Sequence, residues 1–150
     1  MDYYHLPLTS GFLVSQKALI VKNHKLLILK NIPGKTEWSE KWCLPGGLLE
    51  YQEDPKTGLA REVLEETGLQ ITVSKPFTIT TNFYKNFIFH DLRKLNIQFI
   101  QIAFLCVCPI TAVKLSDEHE DYKWIKRNQL KDISFSEDSN QIIQKYLKSN

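Results

Sequence analysis

The chain has 150 residues, 43% of them apolar and 24% charged, which is the size and balance of one globular domain, expected here to span 1–150, that closes its core without disulfides or a structural metal. A formal net charge of +2 excludes a strong electrostatic pull toward nucleic acid or a membrane surface. No apolar run approaches the roughly 20 residues of a membrane span, and MDYYHLPLTSG at the N-terminus has no basic region followed by an apolar core, so a cytoplasmic protein is expected.

Residues 12–21, FLVSQKALIV, read as a first strand, and Asn23-His24 as a tight turn into a second at 25–30. A polar loop with Pro33-Gly34 as its breaker covers 31–41 and carries Trp38. Trp42-Cys43-Leu44 is a short strand delivering the chain to the glycine turn Pro45-Gly46-Gly47, with 46–50 extended. A helix follows from Pro55 to Thr67: Asp54 suits the N-cap, Pro55 the first helical position, and Gly68 the left-handed residue after the end. Residues 70–73 are strand-like and Pro76 should break them. Phe77, Ile79, Thr81 and Phe83 alternate with polar residues, giving a half-buried strand. A polar loop at 90–96 leads to 97–108, nearly continuously apolar in its later part, as in a strand covered on both faces. An acidic loop at 117–121, a short strand at 122–125 and an amphipathic helix at 137–149 complete the chain, the helix presenting Ile142, Ile143, Tyr146 and Leu147 on one side. Strands on either side of a central helix, with a second helix at the end, place the chain in the α/β class with a mixed sheet between helices. The cysteines are Cys43, Cys106 and Cys108. An odd set without framework spacing argues against a disulfide scaffold, and Cys106 and Cys108 read as core residues rather than zinc ligands.

The helix carries the chemistry. On its wheel Glu62, Glu65 and Glu66 fall within an arc of about 100°, while Leu59, Ala60, Val63, Leu64 and Thr67 fall on the side that can face a core. The like-charge pairs Glu62/Glu66 and Glu62/Glu65 each cost about 0.2–0.5 kcal/mol unless something offsets them. A hard cation does so, because Mg²⁺ and Mn²⁺ prefer oxygen ligands. Gly58, one turn before Glu62, adds no side chain to crowd an ion or a phosphate. Taken alone, E-x-x-E-E reads first as a solvated acidic face, since such charge runs usually just face water.

Its context is more specific. Gly47, Glu53, Arg61-Glu62, Val63, Glu65-Glu66 and Gly68-Leu69 stand at fixed spacing within GLLEYQEDPKTGLAREVLEETGL. The chain here resembles the Nudix hydrolases at every specified position of their signature, and Trp42-Cys43-Leu44-Pro45-Gly46 looks like the usual lead-in. Gln52 departs from the pattern, standing where many relatives have glycine. The resemblance implies an α/β/α sandwich and a metal-dependent hydrolase of nucleoside-diphosphate-linked compounds, in which water attacks phosphorus.

Residue by residue, the resemblance makes Glu62, Glu65 and Glu66 the ligands of Mg²⁺ or Mn²⁺, with Glu62 and Glu66 first and the Gly47 carbonyl as a backbone ligand. Arg61, paired with Glu53, would brace the loop against the helix. The segment Asp117-Glu118-His119-Glu120-Asp121 is similar to the family's Glu-His lead-in to its last strand, so Glu118 is the first choice for the general base and Glu120 the second, with a solvated acidic loop as the other reading. His119 is read as structural or exposed. Trp38, Phe83, Tyr84 and Phe87 are candidate stacking groups for a base. The expected partner is a small nucleotide, first a nucleoside triphosphate, with ADP-ribose, nucleotide-sugars and dinucleoside polyphosphates behind it. Neither nucleic acid nor membrane is expected, and a homodimer is left open. A non-catalytic nucleotide-binding module of the same fold is the reading from another class. It usually involves eroded glutamates, and here all are present.

Overall fold

The structure, a computed structural model, describes residues 10–34, 39–88 and 94–150. Strand β1 (Ser10–Lys22) turns directly into β2 (Lys25–Asn31). The linking Asn23 and His24 have φ of 50° and 61°, the mirror-image turn whose twist suits a two-residue hairpin. Pairing in this hairpin is brief, Val21 with Leu26 and Lys22 with Lys25, and then the strands part. β2 carries the short β3 (Trp42–Cys43). Farther along, β4 (Thr72–Ile88) and β5 (Lys94–Val107) pair antiparallel, while β1 and β5 run parallel from Ser10 opposite Asn96 to Ile20 opposite Cys106. β6 (His119–Lys126) pairs with β2. One six-stranded mixed sheet results, in the order β3-β2-β1-β5-β4 with β6 beside β2.

Segment 45–49 lies along β1 where β2 has left it. Ala18 N donates to the Pro45 carbonyl at 2.8 Å, Gln16 N to the Gly47 carbonyl at 2.9 Å, and Leu49 N to the Val14 carbonyl at 2.8 Å. The glycine turn is thus stitched to the middle of the sheet.

Helix α1 (Pro55–Thr67) starts and stops where its caps dictate. The Asp54 carboxylate accepts from Lys56 N and Thr57 N, both at 3.1 Å, and Gly68 takes φ 69°; such an N-cap is worth about 1 kcal/mol. Leu59 and Val63 are fully buried against Ala18, Leu29 and Phe104, each contributing roughly 1.5–3 kcal/mol relative to an exposed side chain. Helix α2 (Glu137–Lys148) packs Ile142 and Ile143 on the other face of the sheet, against Leu19, Ile28 and Ala103. The sandwich is therefore α/β/α. Cys43, Cys106 and Cys108 are free thiols in the α1-side core.

Several local expectations are corrected. Pro76 does not end a strand: β4 runs through it with register shifts on either side, which the outer edge of a sheet tolerates because no partner needs the missing N–H. Residues 94–96 belong to β5 and 119–121 to β6 rather than to loops. The extended 46–50 segment forms only an isolated bridge, Ser15 with Leu48, and a 3₁₀ turn at Arg127–Asp132 precedes α2. Leu64 is 46% exposed, off the core. The faces of β4 are inverted as well: Thr80 and Asn82 are buried, while Ile79 and Phe83 are 61% and 72% exposed. Thr80 Oγ1 hydrogen-bonds Gln101 Oε1 at 3.2 Å and Asn82 accepts from Gln141 of α2. A polar layer under α2 takes the inward positions, leaving the apolar alternates on the α1 side.

Candidate active site

The three glutamates of α1 share a side of the helix but not an environment. Glu66 is buried and turned into the glycine turn, where its Oε2 accepts from Gly46 N at 2.8 Å. Burial pushes its carboxyl up to about 8, against the pull of Lys17 and the Gly46 N–H; Glu62 and Glu118 add to the rise. Glu62 stands beside Gly47, so close that a Cβ on residue 47 would lie 2.4 Å from Glu62 Oε2. Its carboxyl is also raised, by burial first, with Arg61 opposing. Glu65 is the outermost of the three, with 59% of its side chain exposed.

Arg61 reaches across the acidic face. Its Nε and one terminal nitrogen take both Glu53 oxygens at 2.8 and 3.0 Å, and the other terminal nitrogen reaches Glu62 at 2.9 Å and Glu65 at 3.2 Å. The Glu53 hydrogen bond leads the effects that raise the guanidinium, and Arg61 in turn holds the Glu53 carboxyl below the usual carboxylate range. The like-charge repulsion along the helix is therefore offset by Arg61. Gly58 does not leave room for an ion: a Cβ there would meet Glu53 Oε2 at 2.6 Å and Gln16 Nε2 at 3.2 Å.

Among the described residues, no three His, Cys, Asp or Glu side chains already converge on one point as metal ligands. The donor set nevertheless fits a hard divalent ion. It consists of carboxylate oxygens, Glu62 in the space left by the missing side chain of Gly47, Glu66 on Gly46 N, and Glu65 farther out beside Arg61. The Gly47 carbonyl already accepts from Gln16 N, which leaves its second lone pair. Glu62 and Glu65 would have to turn from Arg61 to ligate.

The later acidic segment divides by side. His119 is buried, its Nε2 3.8 Å from Glu66 Oε1 and 3.7 Å from Cys43 Sγ. Burial, helped by Lys17, lowers it to about 4, so near pH 7 it meets Glu66 as a neutral ring. Glu118 is exposed in the turn just before β6, its charge near enough to raise both Glu62 and Glu66. Glu120 is held by Lys30, Nζ to Oε1 2.5 Å, and is not turned to the glutamates.

The aromatic candidates also separate. Trp38 lies outside the described residues. Tyr84 packs edge-on against Phe99 and Phe87, with centroids 5.2 and 6.2 Å apart, on the face of the sheet opposite α1. Phe83 is on the α1 face, in a row across three strands with Gln98 and Phe12. These three line an open cavity of about 260 Å³ with Ser10, Asn96 and Lys85. Phe12 and Gln98 escaped the sequence reading because only cross-strand register puts them beside Phe83. Lys17 was also missed: its Nζ lies 3.5 Å from Asp138 Oδ2 and 3.5 Å from the Gly46 carbonyl. Burial pulls this ammonium down, but Asp138, Cys43 and Glu66 outweigh it and the net shift is upward. A lysine directly before the apolar run 18–21 of the strand was the available signal.

A family model for the NUDIX domain matches residues 13–146. The chain belongs to the Nudix hydrolases. As a Nudix hydrolase it is a pyrophosphohydrolase, and the family generally works with a divalent metal. Nucleoside triphosphatase NudI of Escherichia coli O139:H28 (strain E24377A / ETEC) is 31% identical over 114 residues, covering 75% of this chain and 80% of NudI. The MutT protein from Methanosarcina mazei Go1 superposes with a TM-score of 0.69 at 27% identity, over 95% of this chain and 99% of that one. The E. coli ORF135 protein shares the fold, with a TM-score of 0.70 at 17% identity over 91% and 89% of the two chains. Among the described residues, no helix is long and apolar enough to cross a membrane.

Proposed function

We propose that this Nudix hydrolase cleaves nucleoside triphosphates to the monophosphate and pyrophosphate, using Mg²⁺ or Mn²⁺ held by Glu62, Glu65, Glu66 and the Gly47 carbonyl. The observation that carries the reading is the convergence of Glu66 and Glu62 on the Gly46-Gly47 turn, one held by the Gly46 N–H and the other packed where a Cβ would be. The likeness to NudI supports the triphosphate choice. The bound ion supplies positive charge that neutralises the phosphate oxygens and acidifies water. Glu118, whose charge acts on both Glu62 and Glu66, accepts the proton of the attacking water in this reading. The new bond joins that water's oxygen to phosphorus, the bridging P–O bond breaks, and pyrophosphate departs. Arg61 and Glu53 hold the loop against the helix. Phe12 and Phe83, flanking Gln98, offer two ring faces and an amide to the base. That row lies four β1 residues, about 13 Å, from Gln16 at the glycine turn.

Hydrolysis of a nucleotide panel in water enriched in heavy oxygen tests this directly. The label should appear on a phosphate-containing product, and a triphosphate should be the best substrate. Label on a ribose carbon would refute the mechanism. ADP-ribose turned over roughly a hundredfold more efficiently, a gap of about 2.7 kcal/mol in transition-state binding, would overturn the substrate.

A further inference from the structure

Lys17 occupies the middle of β1 on the α2 side of the sheet, with only 12% of its side chain exposed. A buried ammonium is costly unless paired. Its partners are Asp138 in the first turn of α2 and the carbonyl of Gly46, each at 3.5 Å. Asp138 is itself fixed, its Oδ1 accepting from Ser136 Oγ at 2.6 Å and Ser139 N at 2.8 Å. The same turn of α2 grips the strand before the glycines. Ser139 Oγ accepts from Leu44 N at 3.0 Å, and Ser136 N donates to the Trp42 carbonyl at 2.8 Å. Gly46 has φ 129°, a conformation essentially restricted to glycine, so no side chain of its own holds it. Across the turn, its N–H holds Glu66.

We infer that Lys17, braced by Asp138, is a positioning residue for the metal centre. It clamps the Gly46–Gly47 peptide from the α2 side, so that the Gly46 N–H orients Glu66 and Gly47 stays beside Glu62. This rests on the reading that Gly47, Glu62 and Glu66 hold the ion. Lys17 touches neither ion nor substrate and acts through the turn.

The test is Mn²⁺ affinity of the substrate-free protein, read from the paramagnetic resonance of the free ion, with melting in chelator as the control for folding. Lys17→Met should weaken Mn²⁺ binding at least roughly tenfold, the usual loss when a residue supporting a ligand is removed. Should unpaired Asp138 prevent folding, Lys17→Met with Asp138→Asn decides, since the amide keeps the bonds from Ser136 and Ser139; the same loss is expected. A lysine acting only as a neighbouring positive charge repels the ion, and its removal would tighten binding. Unchanged or tighter Mn²⁺ binding in a folded variant therefore overturns the inference. Glu62→Gln is the reference. If it weakens binding while Lys17→Met does not, the clamp is wrong and the metal reading stands. If neither changes binding, the metal reading itself has failed.

Discussion

Alanine at Gly46 and alanine at Gly47 should fail in opposite ways. At Gly46, φ is 129°, and a Cβ would sit 2.1 Å from the Gln16 carbonyl oxygen and 3.1 Å from Leu59 Cδ1. Backbone cannot step aside cheaply. The strain costs about 1–3 kcal/mol, and displacing the turn from β1 weakens hydrogen bonds worth roughly 0.5–1.5 kcal/mol each. A loss of about 3 kcal/mol follows, or roughly 6–12 °C in melting temperature for a chain of this size. Gly47 has no positive φ, and the atoms nearest its Cβ would be those of the Glu62 carboxylate, Oε2 at 2.4 Å. That flexible end can swing away, so Gly47→Ala should melt within about 2 °C of the parent. It should nonetheless lose at least roughly tenfold in Mn²⁺ affinity and lose turnover with it. Calorimetry in chelator, manganese titration and phosphate release measure the three quantities. Wild-type melting in Gly46→Ala, or wild-type turnover in Gly47→Ala, would refute the geometry assigned to the turn.

Glu66→Gln should lower kcat by at least roughly a hundredfold through lost charge stabilisation at the ion, with the fold retained because the amide oxygen can still accept from Gly46 N; near-normal turnover at saturating Mg²⁺ would sink the role. In chelator, stability should fall by about 1 kcal/mol between pH 6.5 and 8. The sign follows from two shifts. Glu66, raised from 4.5 to about 8, keeps its proton longer in the folded state and destabilises as pH rises between those values. His119, lowered from 6.5 to about 4, stabilises as pH rises and offsets Glu66 up to pH 6.5. Denaturant titrations at several pH values should show this fall in the parent but not in Glu66→Gln; a flat parent profile contradicts the burial assigned to the carboxyl. Phe83→Ala should raise the KM for triphosphates while shifting the melting temperature little, since the ring is 72% exposed; an unchanged KM would remove it from base binding.

Local chemistry alone determined the central helix. Asp54, Pro55 and Gly68 set both ends, and the spacing of Leu59 and Val63 set the buried stripe. The Asn23-His24 hairpin was legible for the same reason, because turn residues act over a few bonds. The family signature made the helix, the glycine turn and the acidic residues legible as one unit. Tertiary structure decided the rest. A period of two does not say which face of a strand goes inward, and in β4 the partners Gln101 and Gln141 made Thr80 and Asn82 the buried set. A helical wheel gives three equivalent glutamates, but Gly46 and the sheet bury Glu66 while Glu65 stays outside. Lys17 and Asp138 lie far apart in the chain, and Phe12, Gln98 and Phe83 come from three strands. Such pairings depend on strand register and helix docking, which are set by the whole core at once rather than by neighbours in sequence.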